Sequence, residues 1–267
     1  MKKLKVFSVI LLVTSIGAFV AFQGYTRMIQ DKKPPVVSCD SSELKVSVSV
    51  KAKEKDLLKG VTAKDNRSGD VSDTLVVENM SEFTDTGKRT VTYAAVDKSM
   101  NVGRTERTLV YEDYEPPVFH MTGSLCYAVG ETVDVSSKIT ADSVLDGDLT
   151  SNIKYSLEKT VNTQAAGEYP IEFRVMDSGG NTVYLKTQIS ISDKSYAGID
   201  VKLKDYLIYL SVGDAFDPNA YFDSADKEGE LTVQSNVNTA KAGSYYVDYI
   251  VNAGAVSGKS RLVVVVQ

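Results

Sequence analysis

Beyond residue 30 the apolar side chains of this chain fall in short alternating runs, and no long stretch repeats them at helical spacing. Runs of Val, Ile, Tyr and Thr such as "SYYVDYIV" (244–251) are bounded by Gly, Asp, Asn and Ser. Alternation at period two bounded by turn formers is the pattern of half-buried strands joined by tight connections. The pattern predicts an all-β protein.

The first thirty residues follow another rule. "MKKLK" precedes a run without charge from Val6 to Phe22, which reads as a signal anchor or a cleavable signal peptide. The small-x-small cleavage pattern is missing around Ala18 to Ala21, where Phe19, Val20 and Phe22 crowd the site, so an uncleaved single-pass anchor is the favoured expectation. Lys2, Lys3 and Lys5 would hold the N-terminus in the cytoplasm, and Arg27, Lys32 and Lys33 weaken that asymmetry without removing it. The C-terminal part then lies outside the cell, secreted if the segment is cleaved. "RLVVVVQ" reads as a last strand without a sortase-type tail, so attachment is expected from the N-terminus.

The strand pattern repeats. "GVTAKDNRSGDVSDTLVV" (60–77) aligns with "KITADSVLDGDLTSNIKY" (138–155), and "FTDTGKRTVTYAAVDKSMN" (83–101) with "VNTQAAGEYPIEFRVMDSGGN" (161–181). A decayed third copy runs through "AYFDSADKEGELTVQ" and "VNTAKAGSYYVDYIVNAGAVSG" (237–258), with Gly87, Gly167 and Gly243 as common punctuation. Repetition at this period, built of short strands and turns, implies three tandem β-sandwiches after an N-terminal transmembrane helix. The expected divisions are a start, anchor and linker at 1–33, then sandwiches at 34–113, 114–194 and 195–267. Double prolines in "DKKPPVV" and "YEDYEPPVF" suit stiff connectors. The junction "ISDKSYAGI" has no proline and is expected to be looser.

Pro-Pro-Val, then "VTAKDNRSGDVS" or "ITADSVLDGDLT", then Gly-x-Tyr and "VMDSGGNT" together resemble the bacterial immunoglobulin-like repeat of surface proteins, the type named from a pesticidal crystal protein and akin to the hyalin repeat. The resemblance covers about residues 34–267, strongest in the second copy and weakest in the third. It implies an immunoglobulin-like sandwich used as a stalk or adhesion module, without enzymatic activity. The third copy departs from the pattern, with "VNAGAVSG" in place of the Asp-Ser-x-Gly-Asn turn and Glu228-Gly229-Glu230 in place of Asp-Gly-Asp.

Charge and cysteine content narrow the partners. Setting aside the three N-terminal lysines leaves 27 basic against 35 acidic residues, an acidic exterior that argues against nucleic acid. Cys39 and Cys126 occupy non-equivalent places in different repeats, so two free thiols are expected rather than a bridge. Catalytic signatures are missing: the single histidine, His120, begins a strand, and no phosphate loop or zinc motif occurs.

Calcium is the one chemical candidate. Hard cations take carboxylate and carbonyl oxygens on loops. Asp142, Asp146, Asp148, Asp177 and Asn181 belong to two loops expected at the entry end of the second sandwich, beside Glu112, Asp113 and Glu115 of the connector. The competing reading is turn chemistry, because Asp and Asn bond their own backbone and "SGGN" tolerates positive φ. Tyrosines in "KDYLIYLSV" and "SYYVDYIV" have two uses, core packing or contact with a partner. The expected function is a non-enzymatic, membrane-anchored surface stalk or adhesion module that binds a surface protein or glycan. The alternative is an accessory docking subunit of an envelope enzyme or transporter.

Overall fold

The computed structural model describes residues 2–46 and 54–267. It opens with helix α1 (Lys2–Ile29). Phe7–Met28 of this helix is long and apolar enough to cross a membrane, and none of it is buried in protein. Among the described residues after it, the regular elements are strands and short helical turns.

The chain divides into two compact units, Met1–Glu112 and Asp113–Gln267. In the first, β1 (Val36–Cys39), β3 (Val61–Asp65) and β4 (Gly69–Asp70) form one sheet. The facing sheet has the order β2-β7-β6-β5, from β2 (Glu43–Val46), β5 (Val76–Asp85), β6 (Lys88–Val96) and β7 (Val102–Tyr111). A short helix, α2 (Glu54–Leu57), precedes β3. β2 runs parallel to β7, whereas the other pairs are antiparallel. Between the sheets lie Val61, Ala63, Val91, Tyr93, Ala95 and Leu109. β3 and β6 contribute alternate residues, as a strand with one face on the core must.

The second unit contains two sandwiches. The first of these repeats the same plan with β11-β10-β8 against β12-β13-β14-β9. Its strands are β8 (Val118–Met121), β9 (Cys126–Ala128), β10 (Ile139–Ser143), β11 (Gly147–Asp148), β12 (Lys154–Leu157), β13 (Gly167–Met176) and β14 (Thr182–Ser192). The last sandwich pairs β15 (Val201–Leu203) with β17 (Phe222–Ala225), and places β16 (Leu207–Leu210), β20 (Val256–Val266), β19 (Gly243–Ala253) and β18 (Glu230–Ser235) in that order. Among the described residues it has no counterpart of the short β4 and β11, whose Gly-Asp pair is Gly229-Glu230 here.

One aromatic ring sits at the same register in all three cores. Tyr93, Phe173 and Tyr249 are each fully buried, six residues beyond Gly87, Gly167 and Gly243, on the long strand that begins at or just after that glycine. The Tyr93 hydroxyl donates to the Leu57 carbonyl, and the Tyr249 hydroxyl to that of Pro218. Buried phenols find such partners because an unpaired hydroxyl in an apolar core costs free energy. Three immunoglobulin-like sandwiches after an apolar helix thus make up the chain.

The connector "ISDKSYAGI" differs from expectation. It lies inside the second compact unit, where Asp193 caps a helical turn at Lys194–Tyr196 and accepts from the Ser195 amide at 3.0 Å. The physical reason is shared burial. Val263 belongs to the core of the second sandwich, while its neighbours Leu262 and Val264 belong to that of the third.

Candidate functional site

The loop end of each of the first two sandwiches is organised by an aspartate that turns the chain between its last two strands. Asp97 Oδ1 accepts from the amides of Ser99 and Asn101, both at 2.8 Å, and the Asp97 amide donates to the Asn101 carbonyl. Asp177 does the same with Gly179 and Asn181, both at 2.9 Å. The left-handed position in these turns is Met100 (φ 66°) in the first and Gly180 (φ 86°) in the second. A bulky residue there is uncommon, and the hydrogen-bonded frame around Met100 holds it.

The two turns differ in what meets the second carboxylate oxygen. In the second sandwich the Tyr114 hydroxyl donates to Asp177 Oδ2 and accepts from Asn181 Nδ2 at 2.8 Å. Burial and the adjoining Asp177 carboxylate push the Tyr114 phenol well above its usual range, so it stays protonated and serves as a donor. Asp146 Oδ2 accepts from the Ser178 amide at 2.8 Å, which joins the two loops. Asp142 and Asp148 face each other across β10 and β11 but are exposed. Asp142 pairs with His120 Nε2, and Asp148 Oδ1 accepts from the Thr150 amide at 2.9 Å. Hydrogen bonding from Thr150, its side chain first and its amide second, lowers the Asp148 carboxyl. Glu112 ends the first unit, exposed and 3.7 Å from Lys45, and Asp113 opens the second. Of the residues read from the sequence as calcium candidates, the structure gathers Asp146, Asp177 and Asn181 around one loop junction.

Among the described residues, the converging group of three carboxylates is in the first sandwich. Asp31, Asp65 and Asp97 each place a carboxylate oxygen within 4.8 Å of the others, and all three are buried. Asp31 comes from the segment before the double proline, Asp65 from the end of β3 and Asp97 from the hairpin turn. The sequence carried a signal for this set: Asp65 stands where the second repeat has Ser143, and Asp31 precedes "PP" as Asp113 does.

His120 is exposed, and both cysteines are free and half-buried. Burial pushes each thiol up, partly opposed at Cys39 by Arg107 and at Cys126 by Arg261.

The tyrosines of the third sandwich divide between its own core and the second sandwich. Tyr249 is buried in its own core, Tyr206 packs against both cores, and Tyr246 packs against that of the second sandwich. The Tyr209 hydroxyl donates to the Phe119 carbonyl at 3.1 Å, and burial pushes that phenol up to about 12. Beside them Arg261 reaches Asp248 at 2.6 Å and Glu168 at 2.9 Å, and Lys259 lies 2.9 Å from Asp248. An open cleft of about 420 Å³ follows this junction, lined in part by Glu131, Lys138, Asp200, Asp226 and Lys259.

No protein-family model matches the chain. An uncharacterized 81.3 kDa protein of Acholeplasma phage L2 is 29% identical over 109 residues, which is 39% of this chain and 15% of that protein. Among solved structures, Drosophila N-cadherin EC1-3 is 12% identical, with 85% of this chain and 98% of that one covered and a TM-score of 0.36. Mouse cadherin-23 EC22-24 is 14% identical, with 88% and 99% covered and a TM-score of 0.22. The CBM51-2 structure in complex with GlcNAc, with INT domains, from Clostridium perfringens ZmpB is 19% identical, with 51% and 29% covered and a TM-score of 0.26.

Proposed function

We propose that this chain is a non-enzymatic cell-surface protein, held in the membrane by α1 and projecting immunoglobulin-like sandwiches outward as a stalk or adhesion module. The observation that carries the reading is the sequence of elements itself. Among the described residues, an apolar helix with no protein around it is followed by three β-sandwiches, each with its own cluster of buried side chains. A helix of that length left bare in water would expose far more contiguous apolar surface than soluble proteins tolerate. The bacterial surface repeat of the crystal-protein and hyalin type is the family that fits the three repeats, at 34–113, 114–194 and 195–267.

The binding end is the third sandwich, which has shed the loop residues of the other two, together with the polar cleft at its border. Charged and hydroxyl groups along that cleft suit a surface protein or a glycan rather than an apolar ligand. Cells displaying the full chain should bind immobilised envelope glycans or surface proteins. Replacing 195–267 by a second copy of 114–194 should abolish that binding. Unchanged binding by the replacement would refute the assignment.

A further inference from the structure

We propose that Asp31, Asp65 and Asp97 hold a divalent cation of calcium's size at the loop end of the first sandwich. Each carboxylate uses Oδ1 to fix the backbone around it. Asp31 accepts from the Lys33 amide at 3.1 Å, Asp65 from those of Arg67 and Ser68, and Asp97 from those of Ser99 and Asn101. One carboxylate oxygen from each of the three lies within 4.8 Å of those of the other two. Asp97 Oδ2 accepts from Asn101 Nδ2 at 2.7 Å, while Asp31 Oδ2 and Asp65 Oδ2 are buried without a hydrogen bond.

The three residues are only 7%, 8% and 4% exposed. Buried carboxylates without a partner are expensive, and three together repel one another as well. Arg67 Nε lies 3.9 Å from Asp31 Oδ2, one positive charge on a side chain more than half exposed set against three buried carboxylates. A hard cation coordinated by the three oxygens removes both costs. Calcium bonds of about 2.3–2.6 Å let opposite ligand oxygens stand about 5 Å apart, whereas magnesium's bonds of about 2.0–2.1 Å draw them to about 4 Å. The three oxygens are close enough to share one ion, and calcium's tolerance of irregular geometry suits carboxylates already fixed by their backbone bonds. Asn101 Nδ2 also donates to the Asp31 carbonyl at 3.1 Å, which ties the entry segment to the hairpin and preforms the site.

The second sandwich serves as an internal control. There Ser143 stands in place of Asp65, and the Tyr114 hydroxyl occupies Asp177 Oδ2. A neutral donor thus completes the same turn where the carboxylates are fewer. Ser143 Oγ accepts from the Leu145 amide at 3.1 Å, the turn-forming bond that Asp65 makes to Arg67. Asp65→Ser therefore removes the ligand and keeps the turn.

The test is calorimetric titration of calcium into the full chain in detergent micelles after chelator treatment, with magnesium in parallel. One calcium per chain should bind, at least tenfold tighter than magnesium. Asp65→Ser should weaken binding at least 100-fold with the β circular-dichroism signal kept, and Asp148→Asn should bind as the parent does. If Asp65→Ser does not fold, Asp31→Asn makes the same test. Absence of calcium binding by the parent, magnesium binding of equal strength, or full binding by a folded Asp65→Ser or Asp31→Asn chain would each overturn the proposal.

Discussion

Arg261 Nη1 donates to Glu168 Oε2 at 2.9 Å, fastening the last strand of the third sandwich to β13 of the second. The same guanidinium holds Asp248 through Nε and Nη2 at 2.6 and 2.9 Å. Asp248 is the better shielded acid, its side chain 16% exposed against 43% for Glu168. Removing one partner of a buried pair strands the other charge, so Asp248→Ala should cost about 3 kcal/mol. Glu168→Ala, screened by water, should cost about 1 kcal/mol or less. Chemical denaturation of the two variants checks the order.

The same cluster sets an acid limit. Burial alone would raise the Asp248 carboxyl, but Arg261 and Lys259 outweigh it and hold it below the usual carboxylate range. A depressed folded value means that the stabilisation is complete above the unfolded value of about 3.9 and is lost as pH falls through the folded one. Melting temperature should therefore be insensitive to this group from pH 7 down to about 5 and drop below about 4. Asp248→Asn should flatten that acid limb.

Tyr93 offers a test within the first core. Its hydroxyl donates to the Leu57 carbonyl at 2.8 Å and accepts from Arg107 Nη2 at 2.9 Å, with Arg107 almost fully buried. Tyr93→Phe takes an acceptor from a buried guanidinium and should cost about 1–3 kcal/mol by denaturant midpoint. The second core carries Phe173 at that register without such an arginine bond, which makes the cost specific to the first.

Both thiols should react slowly. With burial raising Cys39 and Cys126, alkylation of the folded chain at pH 8 should run at least tenfold slower than that of a free cysteine. Denatured without reductant, the chain should titrate two thiols.

Strand alternation, the repeat and the glycine punctuation made the sandwiches legible, because each is a local pattern enforced by one buried face. Asp97 and Asp177 were legible as turn formers for the same reason, since their bonds close within four residues. Long-range relations were not. Tyr114 meets Asp177 across 63 positions, and Asp31 meets Asn101 across 70. The run "LVVVV" showed a last strand, but its lack of alternation also meant burial on both faces, which the packing of Val263 against the second core explains. The absence of proline in "ISDKSYAGI" suggested a loose joint, and a charge cluster formed by residues far along the chain made it tight.

The central claim is that the sandwiches face outward on a membrane-held helix. Protease treatment of intact cells carrying epitopes at both ends tests it most directly. The C-terminal epitope should be lost from intact cells while the N-terminal one survives in a carbonate-washed membrane pellet. A C-terminal epitope protected until the cells are lysed, or a chain recovered in the medium without its first thirty residues, would contradict the account.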